Sequence, residues 1–182
     1  MNSAFPRITA TNQVSQISFV TRHFEKTIKE WARITGAGPF FCGDFALENY
    51  YYRGKTSSCH TTVGLGFLGD MQIQIVTQND NNPSIYKEIL DRNPHGDAFH
   101  HILALTDDID GDLERYKKLG VELASYVEIK GMRVAFFDTI GQLGFMMEYF
   151  QRTQFHDQWF RQIHQAHLNW DGKDPIQSHP LG

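Results

Sequence analysis

His101-Ile-Leu-Ala-Leu-Thr106 has a counterpart earlier in the chain, Gln16-Ile-Ser-Phe-Val-Thr21, and this pair decides the fold. Each run is strand-like and opens on a polar side chain able to bind a metal. A helix-like stretch follows each one. At an offset of 85 (101 minus 16), Thr21 falls on Thr106, Ile28 on Leu113, Trp31 on Tyr116 and Ile34 on Leu119. Both halves end on a second strand-like run. These are Met71-Gln-Ile-Gln-Ile-Val76 and Gly144-Phe-Met-Met-Glu-Tyr-Phe150, matched at an offset of 74 (148 minus 74). The change of offset means that the middle loops differ in length. In this alignment Gln16 pairs with His101, and Gln74 pairs with Glu148. Two amides, one imidazole and one carboxylate at equivalent points of a duplicated fold point to a metal site shared between the halves.

Between these landmarks each half reads β-α-β-β-β. Val14 to Val20 alternates as a strand. Phe24, Ile28, Trp31 and Thr35 fall at helical spacing, and Gly36 stops them. Phe40 to Tyr52 is aromatic-rich, with a turn expected at Gly43-Asp44 and a second at Arg53-Gly54-Lys55. Cys59 to Phe67 reads as a strand loosened by Gly64 and Gly66, and Gly69-Asp70 turns into the closing strand. Asn79 to Pro83 is a linker, with Pro83 expected in the first turn of a short helix that carries Ile85, Ile89 and Leu90 on one side. Asn93-Pro-His-Gly96 ends that helix. The second half then has a strand at His100 to Leu105 and a helix marked by Ile109, Leu113, Tyr116 and Gly120. Asp107 and Asp108 suit the start of that helix. Three strands follow, Val121 to Ile129, Met132 to Phe137 and Leu143 to Phe150, separated by turns at Lys130-Gly131 and Thr139-Ile-Gly141.

The tail has no counterpart in the first half. Phe155, Trp159, Ile163, Ala166 and Trp170 suggest one more amphipathic helix, packed on the core or on a partner subunit. His156, His164 and His167 are expected along its solvated face, and His164 with His167 has the i,i+3 spacing of a metal pair.

Bulk properties exclude several classes. The chain has 182 residues and a formal charge of −4, with no basic run. Nucleic acid is therefore not an expected partner, because phosphate neutralisation needs clustered Lys and Arg. Two cysteines, Cys42 and Cys59, are too few for a disulfide framework and suit reduced thiols in a cytoplasmic protein. Met1-Asn-Ser-Ala-Phe-Pro6 lacks the basic start and apolar core of a signal peptide. No stretch approaches the ~18 apolar residues of a membrane span.

With the repeat in view, the chain resembles the vicinal oxygen chelate superfamily, which includes glyoxalase I, methylmalonyl-CoA epimerase, bleomycin-resistance proteins and extradiol dioxygenases. The likeness covers about residues 12 to 150. Phe99-His-His-Ile-Leu-Ala-Leu-Thr-Asp-Asp-Ile-Asp110 is similar to the strand-helix entry of epimerase-like members. Gln72-Ile-Gln-Ile-Val76 and Gly144-Phe-Met-Met-Glu148 resemble the strands that carry the other ligands, and Gly36-Ala-Gly-Pro-Phe-Phe41 resembles a segment of glyoxalase-like proteins. The resemblance implies an α+β fold of two βαβββ modules whose mixed sheets curl round a cup. The modules would span residues 12–78 and 98–150, joined by a linker with a short helix at 79–97 and followed by a helical extension at 151–182.

Carried over position by position, the metal ligands would be Gln16, Gln74, His101 and Glu148. Hard oxygens with one borderline nitrogen suit an octahedral divalent ion such as Mn, Co, Ni or Zn, with two places left for water or substrate. Amide oxygens are weak ligands, so a modest affinity that can leave the site empty after purification is expected. The implied reaction is a lyase or isomerase proton transfer next to the carbonyl of a small keto or thioester substrate, with Glu148 as catalytic base. Cys59 to Phe67 lacks the carboxylate that a two-base epimerase would need there, and His60 is a weak substitute. The alternatives are a metal-free protein that sequesters an aromatic ligand and, further off, a ring-cleaving dioxygenase. Phe40, Phe41, Phe45 and Tyr50-Tyr-Tyr52 could line such a pocket, or pack as ordinary strand aromatics, and Arg133 could meet a substrate anion. His100 is expected on the face of its strand opposite His101. A homodimer is a further family expectation.

Overall fold

A computed structural model describes residues 12–129 and 131–178. Met1 to Pro6 and Lys130 of the expected Lys130-Gly131 turn lie outside the described residues. The first half runs β1 (Val14–Val20), α1 (Phe24–Thr35), β2 (Phe40–Tyr52), β3 (Lys55–Leu68) and β4 (Met71–Gln78). Helix α2 (Ile85–Arg92) follows. The second half runs β5 (Ala98–Thr106), α3 (Ile109–Lys118), β6 (Leu123–Ile129), β7 (Met132–Phe137), the short α4 (Ile140–Leu143) and β8 (Met146–Gln151). Helix α5 (Gln154–Leu168) and β9 (Ile176–Ser178) complete the described chain.

The strands form one curled sheet in the order β3-β4-β1-β5-β8-β7-β6-β2-β9, and β2 also pairs with β3. Eight strands therefore close into a barrel-like cup, with β9 added in parallel to the start of β2. The halves join twice. Strands β1 and β5 run antiparallel along most of their length, whereas β2 meets β6 only at Tyr51–Tyr126 and Tyr52–Ser125. Arg53 secures the second join. It sits in a two-residue hairpin turn with Gly54, both at positive φ (43° and 79°), as such a turn requires. Its guanidinium reaches Glu88 of α2, Glu122 before β6 and Asp138 after β7, at 2.6–2.8 Å.

Helices α1 and α3 cover the outer faces of the two halves. Ile28 packs on Phe40, Ile73 and Ile75, and Ile109 and Tyr116 pack on Ala135, Phe137 and Tyr149. Gly64 and Gly66 do not loosen β3. A Cβ on Gly64 would come 2.9 Å from Ile28 Cδ1, and one on Gly66 would come 3.0 Å from the Phe40 ring. Gly64 lets α1 settle onto the sheet, and Gly66 makes room for the Phe40 ring of β2.

Several local expectations need correction. Gly43-Asp44 is not a turn, because both residues are paired inside a continuous β2–β3 hairpin, opposite Val63 and Thr62. Pro83 lies before the α2 cap rather than in the first turn. Ser84 caps the helix by accepting from the Tyr86 and Lys87 amides. The run from Leu143 divides into α4, ended by Gly144 at φ 85°, and β8. Helix α5 buries His156, Phe160, Ile163 and His164 against β3, and leaves Phe155 62% exposed. Its apolar face is thus turned by about one residue, and two of its histidines are core groups.

Candidate active site in the cup

Register reproduces the sequence repeat. In the parallel β1–β4 pair Gln16 lies opposite Gln72, so Gln74 is two residues further on. In the parallel β5–β8 pair His101 lies opposite Met146, and Glu148 is again two residues further on. The cup interior therefore receives side chains from β1, β4, β5 and β8 at equivalent heights.

Both first ligand positions follow a bulge. Between β1 and β5 the register slips at Ser15 and again at His100, each an extra residue on its own strand. Ser15 and His100 stand 85 positions apart, as do Gln16 and His101. A bulge breaks the alternation of side chains and re-aims the residue beside it. This corrects the placement of His100. It is completely buried on the same side as His101, with the two Nδ1 atoms 2.7 Å apart. Its Nε2 lies 3.1 Å from the Ile85 carbonyl oxygen.

Three of the four expected ligands come together. His101 Nε2 is 2.7 Å from Glu148 Oε2 and 3.4 Å from Gln16 Oε1. All three residues are buried. Gln16 Nε2 donates to Gln72 Oε1. Gln74 faces the same cavity, but its Oε1 accepts from Ser18 Oγ at 2.6 Å. Gln72, Ser18 and His100 are thus the supports that the sequence reading missed. The first two were legible as residues on the inward face of their strands, whereas the third depended on a bulge.

Burial sets the protonation states. It pushes the Glu148 carboxyl up to about 8 and pulls His101 down to about 3. Although Glu148 Oε2 lies so close to His101, it makes no hydrogen bond. Glu148 Oε2 is thus a buried acceptor with no hydrogen-bond partner, which a single cation, a proton or a metal ion, would relieve. The donor set of one imidazole nitrogen, one carboxylate oxygen and amide oxygens fits a hard or borderline divalent ion. Among the described residues no group of three or more His, Cys, Asp or Glu could hold a metal. An ion held here would have to draw on the amides as well.

Gln16, Gln74 and Glu148 form part of the wall of a cavity of about 140 Å³, with His101 buried beside Gln16 and Glu148. The rest is apolar, including Leu47, Val63, Phe136 and Phe150, with Tyr86 from α2 and Trp159 and Phe160 from α5. Phe45, 41% exposed, lies at its rim. Among the described lining residues Glu148 is the one acid, and there is no Lys, Arg or His. The other candidates lie elsewhere. His60 is exposed, 3.7 Å from Glu48. Arg133 pairs with Asp110 and Tyr126. His167 Nδ1 donates to the Gly38 carbonyl and Nε2 accepts from the Gly69 amide, while His164 meets Asp70, so this pair is structural. Phe40 lies in the α1 core rather than the cavity. Cys42 and Cys59 are free thiols, and no helix among the described residues is long and apolar enough to cross a membrane.

The family model described as Glyoxalase/Bleomycin resistance protein/Dioxygenase superfamily matches residues 15–136. Comparison with curated proteins finds no match. Among solved structures, a hypothetical protein from Bacillus halodurans is similar at a TM-score of 0.56 and 15% identity, over 80% of this chain and 97% of that one. Methylmalonyl-CoA epimerase from Mycobacterium tuberculosis gives 0.55 and 16%, over 82% and 96%. A variant of the Streptomyces coelicolor methylmalonyl-CoA epimerase in complex with 2-nitronate-propionyl-CoA gives 0.53 and 16%, over 79% and 99%. At such identities the likeness is one of fold. Glu148 lies beyond the family match, so its place in the site rests on register and contacts.

Proposed function

Because the chain belongs to the glyoxalase/bleomycin resistance protein/dioxygenase superfamily, we propose that it is a metal-dependent lyase or isomerase that moves a proton next to a carbonyl of a small keto or thioester substrate. One observation carries this reading: His101 Nε2 comes within 3.4 Å of polar atoms of both Gln16 and Glu148, with Gln16 and Glu148 on the wall of an apolar cavity and Glu148 Oε2 buried without a hydrogen-bond partner. Gln16, His101 and Glu148 would hold the ion, with Gln74 as the fourth ligand once it releases Ser18. A divalent ion bound there would polarise a substrate carbonyl oxygen.

Glu148 is the proton carrier. It is the one acid among the described lining residues, and it faces the cavity where the substrate carbon would lie. Leu47, Val63, Phe136 and Phe150 keep water from the deprotonated carbon. With one acid in the cavity, a single group removes and replaces the proton. This favours a one-base isomerase or lyase over a two-base epimerase. Ring cleavage fits less well, since it calls for two histidines and a carboxylate, and Gln16 stands where the second histidine would be. The aromatic wall of Phe45, Phe136, Phe150 and Trp159 supports a second reading, sequestration of an aromatic ligand. A cytoplasmic homodimer belongs to the same proposal, and light scattering tests the assembly.

The test is elemental analysis of untagged protein dialysed against mixed divalent metals, beside Glu148→Ala and His101→Ala. About one ion per chain, lost in both variants, supports the proposal. It is then followed by solvent deuterium exchange at the carbon next to the carbonyl, across keto acids and thioesters. No ion in the parent protein, with tight binding of aromatic ligands, moves the assignment to sequestration.

A further inference from the structure

Strand register sorts the cavity wall into a polar end and an apolar end. Glu148 of β8 lies opposite Phe136 of β7, and Gln74 of β4 lies opposite Leu65 of β3. Two residues further along the same direction, β8 presents Phe150 opposite Val134, and β3 presents Val63. Met132 continues the β7 row, and Trp159 and Phe160 of α5 close over it, packed with Leu65 and Val63. The hydroxyls on the wall, Thr61 and Tyr86, carry no charge. Arg133 and Arg152 lie close in sequence to lining residues, but their guanidiniums are paired with Asp110 and Asp157. An ionic group lodged at the apolar end would lose its water and meet no counter-charge among the described lining residues. Size is limited as well. The cavity of about 140 Å³ compares with an apolar cavity of about 150 Å³ that holds a single benzene molecule.

We propose that the substrate's skeleton beyond its reacting carbonyl is an uncharged apolar group of about one six-membered ring, and that Trp159 of α5 sets this size limit. The carbonyl rests on the function proposed above, whereas the limits on charge and size come from the wall alone. Trp159 is the bulkiest side chain on that wall. It belongs to a helix packed on β3 rather than to a paired strand, so trimming it leaves the strand pairing of the cup intact. Met132, half-buried at the start of β7, is the place where a long cationic side chain could enter the apolar end while keeping its head near water.

The test is NMR titration of the full chain with three ketones that share one carbonyl end. Acetophenone should bind. The para-carboxylate of acetophenone, charged only at the far side of the ring, should bind at least about 30-fold more weakly. The naphthyl analogue, larger by one ring, should bind at least about 10-fold more weakly. Trp159→Ala should then take the naphthyl ketone at least as tightly as acetophenone, and Trp159→Leu gives the same reading by a milder cut should the alanine variant unfold. Phe155→Ala, on the exposed face of the same helix, should keep the wild-type order. Met132→Lys should tighten the para-carboxylate by about tenfold or more. A wild-type protein that binds no acetophenone, or binds the para-carboxylate as well, overturns the proposal. So does a folded Trp159 variant that keeps the wild-type size order. If the ketones bind in the expected order, yet no divalent ion speeds deuterium exchange at the acetophenone methyl, the proposed reaction fails and the limits on charge and size stand.

Discussion

Gln16 and His101 each follow the extra residue of a bulge, Ser15 in β1 and His100 in β5, and their side chains meet, Oε1 to Nε2, at 3.4 Å. The two halves then differ in donor strength. His101 and Glu148 are the stronger pair, and Gln16 and Gln74 offer only amide oxygens.

Strengthening the weak half should therefore raise metal affinity. Gln16→Glu should tighten Mn²⁺ binding on the order of tenfold, because an added carboxylate raises the ligand charge. Without metal, the new carboxylate would share a buried site with Glu148, and like charges there are unfavourable. The metal-free variant should melt below wild type and recover when Mn²⁺ is added, as differential scanning fluorimetry would read.

The metal-free protein should be most stable near pH 6.5. Burial pulls His100 and His156 from 6.5 down to about 3 and about 4, so the unfolded chain binds more protons below pH 6.5. Stability falls there as pH drops. Glu148 is raised from 4.5 to about 8, so the folded chain holds the extra proton, and His101, lowered to about 3, offsets this below pH 6.5. Between pH 6.5 and 8 only the Glu148 contribution remains, and stability falls as pH rises, by roughly 2 kcal/mol. Glu148→Gln should abolish the alkaline fall in urea melts. Metal binding displaces the same proton, so affinity should rise with pH and level off above about 8.

Arg53→Ala should destabilise the protein by about 1–3 kcal/mol in urea unfolding, a range discounted for partial exposure. Three carboxylates lose their shared cation, and Glu88, 13% exposed, loses the most. Glu122→Ala should change little, since that carboxylate is 54% exposed.

Gly66→Ala tests how closely the Phe40 ring of β2 sits on β3. The added methyl would lie 3.0 Å from the ring of Phe40, which is completely buried and cannot swing away. A loss of about 1–3 kcal/mol is expected. Pairing with Phe40→Leu should recover part of it, and additive losses would argue against the contact.

The sequence patterns that proved legible are those set by local spacing. Strand β1, helix α1 up to Gly36 and the Asp108 cap of α3 lie where alternation, helical period and turn chemistry put them. The offsets of 85 and 74 reappear as the register of β1–β4 and β5–β8. What escaped depended on partners distant in sequence. Gly43-Asp44 has local turn chemistry, but pairing along β3 holds it extended. His156 reads as polar, yet it lies between the Phe150 and Phe160 rings at 4.6 and 4.0 Å. The bulge at His100 is a property of two strands together, so no reading of β5 alone reveals it.

The chain's return to its first half after β8 has a consequence for cooperativity. Helix α5 packs on β3, and β9 pairs with the start of β2, although both follow the second half in sequence. The boundary between the repeats is thereby bridged by β1–β5, by Tyr51 and Tyr52 against β6, and by this closing stretch. Pulling one repeat away would strip the other of a barrel wall or of its α5 cover. Neither repeat is therefore expected to fold alone, and the protein should melt in a single calorimetric transition despite its duplicated plan.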